Sequence, residues 1–219
     1  MDIDGTLVGH DGIIPPQTKQ SLLAAQAKGI RLVLASGRPY NGMVRLAKEL
    51  VMDTCHGLCV SYNGSKALDV QTGEVLFNQT IPVALGQAVL HHLKSFAVRP
   101  LIVKGDYAYV NDVYDCMVHT ARGELNIINH EAHENGFKLC ELDDLEAFAD
   151  YPLNKILAIG EPEYLQAHYE AMRAPFAESL NSMFTAPFYY EFTDKGIDKV
   201  KALDTLLTAA GIAPAQVLA

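Results

Sequence analysis

The sequence predicts an α/β protein: a parallel sheet with right-handed crossovers, interrupted by an inserted α+β domain. Three observations predict it. Apolar strand runs alternate with helices through the first third of the chain. A mixed pattern of short strands and helices begins at Pro82 and runs to Pro187. A helix and the start of another apolar run then resume the first pattern. The expected division is 1–81 plus 187–219 for the core and 82–186 for the insertion. A chain of 219 residues is long enough to bury a substantial core.

Pro15-Pro16 opens the first helix, because proline fits a first turn. That helix is predicted to reach Lys28, with Leu22, Leu23 and Ala27 inward and Gly29 as its stop. Residues 30–35 read as a buried strand and 36–39 as a turn. A helix over 40–50 carries Met43, Val44, Ala47 and Leu50 on one face. Residues 58–62 form the next strand, ended by an Asn63-Gly64 turn. Residues 66–70 and 74–79 flank Thr72-Gly73 as a hairpin. In the insertion, helices are predicted over 83–97, 112–123 and 163–173. Strands are predicted over 101–104 and 107–110, over 155–159, and over 181–185 and 189–192. Residues 196–210 read as a helix closed by Gly211, and 216–219 as the opening of another buried strand.

Composition narrows the function. Asp and Glu number 26 against 17 Lys and Arg, a formal charge of −9. Generic nucleic-acid binding needs the opposite balance, whereas an anionic small molecule answers to the local field of its site. No apolar run is long enough to span a membrane, and residues 1–4 carry neither the basic nor the apolar part of a signal peptide. Four cysteines are too few for a disulfide scaffold and are expected as reduced thiols in a cytoplasmic protein. Cys55 and Cys59, with His56 between them, lack two further ligands for zinc. His119, His130 and His133 make no metal pattern and read as surface residues.

Three polar clusters stand beyond the carboxyl ends of the predicted strands, where open parallel sheets bind ligands: residues 2–6, 36–38 and 63–64. Asp2-Ile3-Asp4-Gly5-Thr6 puts two carboxylates at i and i+2. They point the same way if a strand continues through Asp4, and meet from two sides if the chain turns between them. Two acids in one small volume suit one nucleophile or metal ligand and one proton shuttle. Gly5 lets backbone approach a ligand, and Thr6 offers an N–H and a hydroxyl to an oxyanion. A calcium loop opening at Asp2 would need glycine at Leu7 and glutamate at Ile13, and fails at both. An ordinary Asp-Gly turn is the other reading.

In Ser36-Gly37-Arg38-Pro39, a hydroxyl and free backbone N–H groups can hold a phosphate oxygen, and Arg38 can add a charge-assisted contact. A plain turn with Ser36 as helix cap is the alternative. Lys199 falls near the start of the last helix, where a cation opposes the macrodipole. Such a placement points to a task, such as neutralising anionic charge in a transition state. Lys195 and Lys201 compete for that task, and a solvated surface lysine is the plain reading.

D-x-D-G-T at 2–6, S-G-R-P at 36–39, Y-N-G at 62–64 and G-x-x-K at 196–199 together resemble the haloacid dehalogenase superfamily. Within it the chain is most similar to the Cof-type sugar phosphatases, over essentially its whole length. The resemblance implies a Rossmann-like parallel-sheet core with an inserted α+β cap of the C2 type. It implies a Mg2+-dependent phosphomonoesterase of small phosphorylated metabolites, sugar phosphates foremost, with no nucleic-acid or membrane partner. Carried over by position, Asp2 would be the nucleophile that forms an aspartyl-phosphate, and Asp4 the general acid and then base. Ser36 would hold the transferring phosphoryl group, and Lys199 would neutralise its charge and orient Asp2. Gly5, Thr6, Gly37, Arg38, Asn63 and Gly64 would lie around the substrate phosphate. The Asp2 carboxylate and the Asp4 backbone carbonyl would bind the metal. A phosphomonoester dianion repels a carboxylate, which is why such chemistry uses a metal and a lysine.

The sequence departs from that family's pattern in three places. Val200 stands where the family usually has glycine. Only Met1 precedes Asp2, where the family has an apolar strand. The acidic G-D-x-x-N-D segment that completes the metal shell would begin just past Val217-Leu218-Ala219. The chain is thus expected to be clipped at both ends against the pattern, with the remaining acidic metal ligands absent from it. A receiver-type signalling module would need an acid after the third strand, where Tyr62-Asn63-Gly64 stands. A non-catalytic phosphometabolite-binding protein on the same fold is the alternative to a phosphatase.

Overall fold

The computed structural model describes residues 1–9, 11–120 and 123–218. They form two compact units, Met1–Gln79 with Ile197–Ala219, and Thr80–Gly196. The first unit opens with α1 (Pro16–Ala27), β1 (Val33–Ala35), α2 (Asn41–Glu49), β2 (Leu58–Ser61), β3 (Lys66–Asp69) and β4 (Val75–Asn78). Gly29 ends α1 at φ +85°. The N–H groups of Gly29 and Ile30 return to the carbonyls of Gln26 (2.8 Å) and Ala25 (3.2 Å), so the orphan carbonyls of the last turn find partners. Of the residues expected inward on α1, Leu22 and Leu23 are half-buried, whereas Ala27 is exposed.

The sheet order is β1-β2-β3-β4. β1 and β2 pair in parallel, Leu34 opposite Cys59, as α2 between them requires. The other two pairings are antiparallel. Met1 and Asp2 run beside β1: Met1 N donates to Val33 O (3.0 Å), Ala35 N donates to Met1 O (2.9 Å), and Asp2 bridges Ala35 in parallel. Ile3, Leu7, Ile14, Leu34, Met43, Leu46 and Leu50 are buried together under this ladder and hold the chain's first residues against it.

The second unit comprises α3 (Val83–Leu93), β5 (Arg99–Lys104), β6 (Tyr107–Val110), β7 (Met117–Thr120), β8 (Gly123–Asn126), α4 (Ile127–Asn135), β9 (Lys138–Glu141), α5 (Leu145–Phe148), β10 (Ile156–Ile159), α6 (Pro162–Arg173), β11 (Leu180–Ala186) and β12 (Tyr189–Asp194). Its six-stranded sheet runs β11-β12-β10-β5-β6-β9, with β7 and β8 a separate ribbon. Two apolar clusters cover opposite faces. Ile156 and Ala158 join Leu90, Leu93, Leu165 and Met172. Leu157 and Ile159 join Val118, Ile127 and Ile128. The alternation along β10 is the period of two that a strand buried on both faces needs.

Several expectations are corrected here. No helix occupies the described part of 112–123. Asp112 Oδ1 accepts from Tyr114 N (2.7 Å) and Asp115 N (3.0 Å), which folds the chain into a turn that feeds β7; Ala121 and Arg122 lie outside the described residues. α3 ends at Leu93 rather than 97. α4, β8, β9 and α5 occupy stretches without an assigned element. The boundary expected at 187 falls at Ile197, because β12 pairs with both β10 and β11.

The chain re-enters the first unit with α7 (Lys199–Ala209), capped by the Asp198 carboxylate on Lys201 N at 2.7 Å. Ala202 and Leu206 pack on Ala35, Leu58, Val60 and Ala67 of the sheet. Lys201 Nζ also reaches Gln79 Oε1 at 3.4 Å, joining the residues that flank the insertion. In place of the strand expected over 216–219, Pro214–Gln216 makes a single 3-10 turn and 217–218 are irregular; Ala219 lies outside the described residues. No described helix is long and apolar enough to cross a membrane.

Candidate active site

The sheet sets the first acid, and a tight turn sets the second. Asp2 ends the ladder opposite Ala35. The Ile3 carbonyl then accepts from Thr6 N (3.3 Å), Leu7 N (2.9 Å) and Val8 N (3.1 Å), and Gly5 N donates to Val8 O (3.1 Å). Gly5 takes φ +76°, which costs a residue that carries Cβ. Buried Ile3, Leu7 and Val8 anchor the turn and leave Asp4, Gly5 and Thr6 exposed. The chain therefore turns between the two acids rather than continuing as a strand. The amides of Gly5 and Thr6 are spent on closing that turn.

Each acid has its own cation. Asp2 Oδ1 accepts from Lys199 Nζ at 2.5 Å, across 197 residues of sequence. Asp4 takes two bonds from the Arg38 guanidinium, Nε to Oδ2 at 2.9 Å and Nη2 to Oδ1 at 2.6 Å. The competing lysines are engaged elsewhere, Lys195 on the Ala177 carbonyl at 2.7 Å and Lys201 on Gln79.

Ser36 is buried at the end of β1. Its N–H donates to Val60 O (2.9 Å), its carbonyl accepts from Asn63 N (3.0 Å), and its hydroxyl accepts from Arg38 N (3.1 Å). Among the described residues its hydroxyl proton has no acceptor, and the neighbouring Gly37 N–H donates to nothing. A buried O–H and an unengaged N–H side by side form a receptor for an anionic oxygen. A Cβ at Gly37 would lie 3.0 Å from Asn63 Oδ1, so the Asn63 side chain lies directly against this glycine.

The third cluster works through its backbone. Tyr62 and Asn63 take φ of 52° and 56°, and Gly64 takes 107°. Two left-handed residues that carry Cβ are a strained pair, found where surrounding structure enforces them. Here the Tyr62 N–H donates to Arg38 O (3.0 Å) and Asn63 N–H to Ser36 O, which ties the turn to the second cluster. A Cβ on Gly64 would lie 2.3 Å from Asp198 O and 3.0 Å from Lys199 N. Gly64 is thus the seat on which the start of α7 rests, and that seat aims Lys199 at Asp2. The sequence reading gave Asp198 and Tyr62 no role of their own; an aspartate just before an apolar helix is a cap signal that marks the former.

Two hard oxygen donors stand two residues apart, the Asp2 carboxylate and the Asp4 carbonyl, and the latter accepts no hydrogen bond among the described residues. Magnesium keeps several waters and needs only one or two protein carboxylates, so this donor set fits it. Among the described residues no group of three or more His, Cys, Asp or Glu side chains could hold a metal. His56 is engaged with Asp69 (2.9 Å) and His119 with Glu161 (2.9 Å).

The profile of the haloacid dehalogenase-like hydrolases matches residues 1–219. The chain is 26% identical over 219 residues to the HMP-PP phosphatase of Serratia proteamaculans, across 100% of this chain and 74% of that protein. It is similar to the crystal structure of a haloacid dehalogenase-like hydrolase from Bacteroides thetaiotaomicron, with a TM-score of 0.88 and 27% identity over 99% of this chain and 77% of that one. It shares its fold with a sugar phosphatase of HAD subclass IIB, with a TM-score of 0.72 and 20% identity over 97% of this chain and 75% of the other.

Proposed function

The chain is a phosphatase of the haloacid dehalogenase-like hydrolase family, and on that premise we propose that it hydrolyses small phosphorylated metabolites, sugar phosphates foremost, through an aspartyl-phosphate on Asp2. The observation that carries this reading is the pairing of Asp2 with Lys199 at 2.5 Å beside an Asp4 held by Arg38. The ester's phosphoryl group is received by the Ser36 hydroxyl and the Gly37 N–H. Lys199 offsets the repulsion between its charge and the Asp2 carboxylate. Asp2 attacks phosphorus, an O–P bond to Asp2 forms, the ester P–O bond breaks, and Asp4 gives its proton to the leaving oxygen. Water then attacks the aspartyl-phosphate while Asp4 takes its proton, which frees inorganic phosphate and restores both acids. Magnesium held by the Asp2 carboxylate and the Asp4 carbonyl would supply further neutralisation of the phosphoryl oxygens.

The inserted unit is read as the cap that selects substrates, and the cytoplasm as the place of action. The test is phosphate release from a panel of small phosphate esters, with magnesium and with the metal chelated, for the wild type and Asp2→Asn. Turnover that needs both magnesium and Asp2 is the expected result; full activity in Asp2→Asn refutes the nucleophile. A non-catalytic phosphometabolite binder on the same fold is the second reading. That reading requires ester binding with no turnover.

A further inference from the structure

We propose that Arg38 is a positioning residue for Asp4, and not a ligand of the substrate phosphate. Asp4 needs one. It stands in an exposed turn whose apolar anchors, Ile3, Leu7 and Val8, fix the backbone but leave the carboxylate in water. Its side chain is 55% exposed against 22% for Arg38. A short acid so placed would turn freely about its two side-chain torsions.

Arg38 removes that freedom because its own base is fixed. Its N–H is held by Ser36 Oγ (3.1 Å) and its carbonyl by Tyr62 N (3.0 Å), and Pro39 follows it. From this rigid root the guanidinium presents two parallel N–H groups, at 2.9 and 2.6 Å, that define the plane of the Asp4 carboxylate as well as its place. A carboxylate offers about four lone-pair sites, so the fork leaves about half of them to carry a proton toward a leaving group. The alternative, a phosphate contact, would need the guanidinium to abandon this paired acid. Ser36 Oγ–H and Gly37 N–H are open to an anion without such a rearrangement.

The inference rests on the reading of Asp4 as proton donor to the leaving alcohol, and its test has one arm that does not. In the first arm, NMR follows hydrogen exchange at the Arg38 Nε–H of the full chain, with and without 10 mM inorganic phosphate. The signal is assigned by its loss in Arg38→Lys. Slow exchange in the wild type in both buffers, and exchange at least about 10-fold faster in Asp4→Ala in both, supports the proposal. Fast exchange in the wild type, or slow exchange in Asp4→Ala once phosphate is present, overturns it.

The second arm compares an aryl ester, 4-nitrophenyl phosphate, whose leaving group needs no proton, with an alkyl ester such as glycerol phosphate. A lysine at position 38 keeps the charge but cannot form the fork. Arg38→Lys is expected to lose about 100-fold in kcat on the alkyl ester and less than about 5-fold on the aryl ester, with each KM little changed. Equal losses on both esters, carried by KM, assign Arg38 to the phosphate and overturn the proposal. A wild type that turns over neither ester refutes the phosphatase reading instead, and the exchange arm still decides the role of Arg38.

Discussion

Gly64→Ala tests whether the seat of α7 controls the chemistry at the other end of Lys199. The new Cβ would stand 2.3 Å from Asp198 O, where ordinary contact begins near 3.4 Å. Backbone cannot rotate out of the way as a side chain can, so the start of α7 must retreat by roughly 1 Å. Lys199 is the next residue along. A retreat of that size would stretch its 2.5 Å contact with Asp2 to about 3.5 Å, past the range of an N–H···O bond. Misplacement of about 1 Å at a reacting group costs on the order of 100-fold in rate. The φ of 107° adds a strain of about 1–3 kcal/mol to any residue with a Cβ. The expected result is a loss of about 100-fold in kcat/KM for phosphate release, with a urea midpoint lowered in proportion to that strain. Gly73→Ala is the control. Gly73 has φ of 73° but nothing within 4 Å of its Cβ position, so it carries the conformational cost without the collision. Gly64→Ala with wild-type kcat/KM, or Gly73→Ala with an equal loss of activity, would refute the reasoning.

Three further outcomes are expected. Lys199→Ala should lower kcat by about 100-fold or more with an unchanged melting curve, because its ammonium is half-exposed and its proposed task is in the reaction rather than in the fold; activity within twofold of wild type would remove Lys199 from the mechanism. Asp69 is buried, and burial pushes its carboxyl up, but the hydrogen bonds from Thr72 N, His56 and Gln71 N outweigh it and hold the group below the usual range. A carboxyl depressed in this way contributes stability above its unfolded value near pH 4, and that contribution is lost as pH falls through the folded value. The urea midpoint of the wild type should therefore fall below about pH 4 more steeply than that of Asp69→Asn, and parallel acid limbs would contradict the assignment. Burial pushes the Cys59 thiol up to about 12 and the Cys116 thiol up to about 11. At pH 8 a thiol reagent should reach exposed Cys55 in the folded protein, and Cys59 and Cys116 only after denaturant is added.

The part of the sequence that was easiest to read is the part where one signal suffices. Residues 30–35 and 58–62 read as apolar runs bounded by glycine and turn residues, and strands paired in parallel occupy Val33–Ala35 and Leu58–Ser61 within them. The Thr72-Gly73 turn likewise fixes β3 and β4 without help from afar. Residues 112–123 misled because the decisive event is a side-chain bond, Asp112 to Tyr114 N, that periodicity does not record. α4 carried its own markers, Asn126 as cap on Asn129 N and Gly136 at φ 66° as stop, yet its apolar residues are too few to make a period stand out. At the site, the identities of Asp2, Asp4, Ser36 and Lys199 were legible as types in positions. The pairing was not. Which lysine meets Asp2, and that Arg38 turns to Asp4, depend on contacts between residues 197 and 34 positions apart.

The hydrogen bond from Lys201 to Gln79 has a consequence for how such a chain can change over time. It sets the two crossings of the insertion side by side in the first unit. An insertion whose ends meet there enters that unit as a closed loop, and the cost of closing a loop grows only with the logarithm of its length. Lengthening, shortening or exchanging what lies between the crossings thus burdens the first unit little. Asp2, Asp4, Ser36 and Lys199 all lie outside the loop. The unit that carries these four residues and the inserted unit are therefore free to diverge at different rates along one chain.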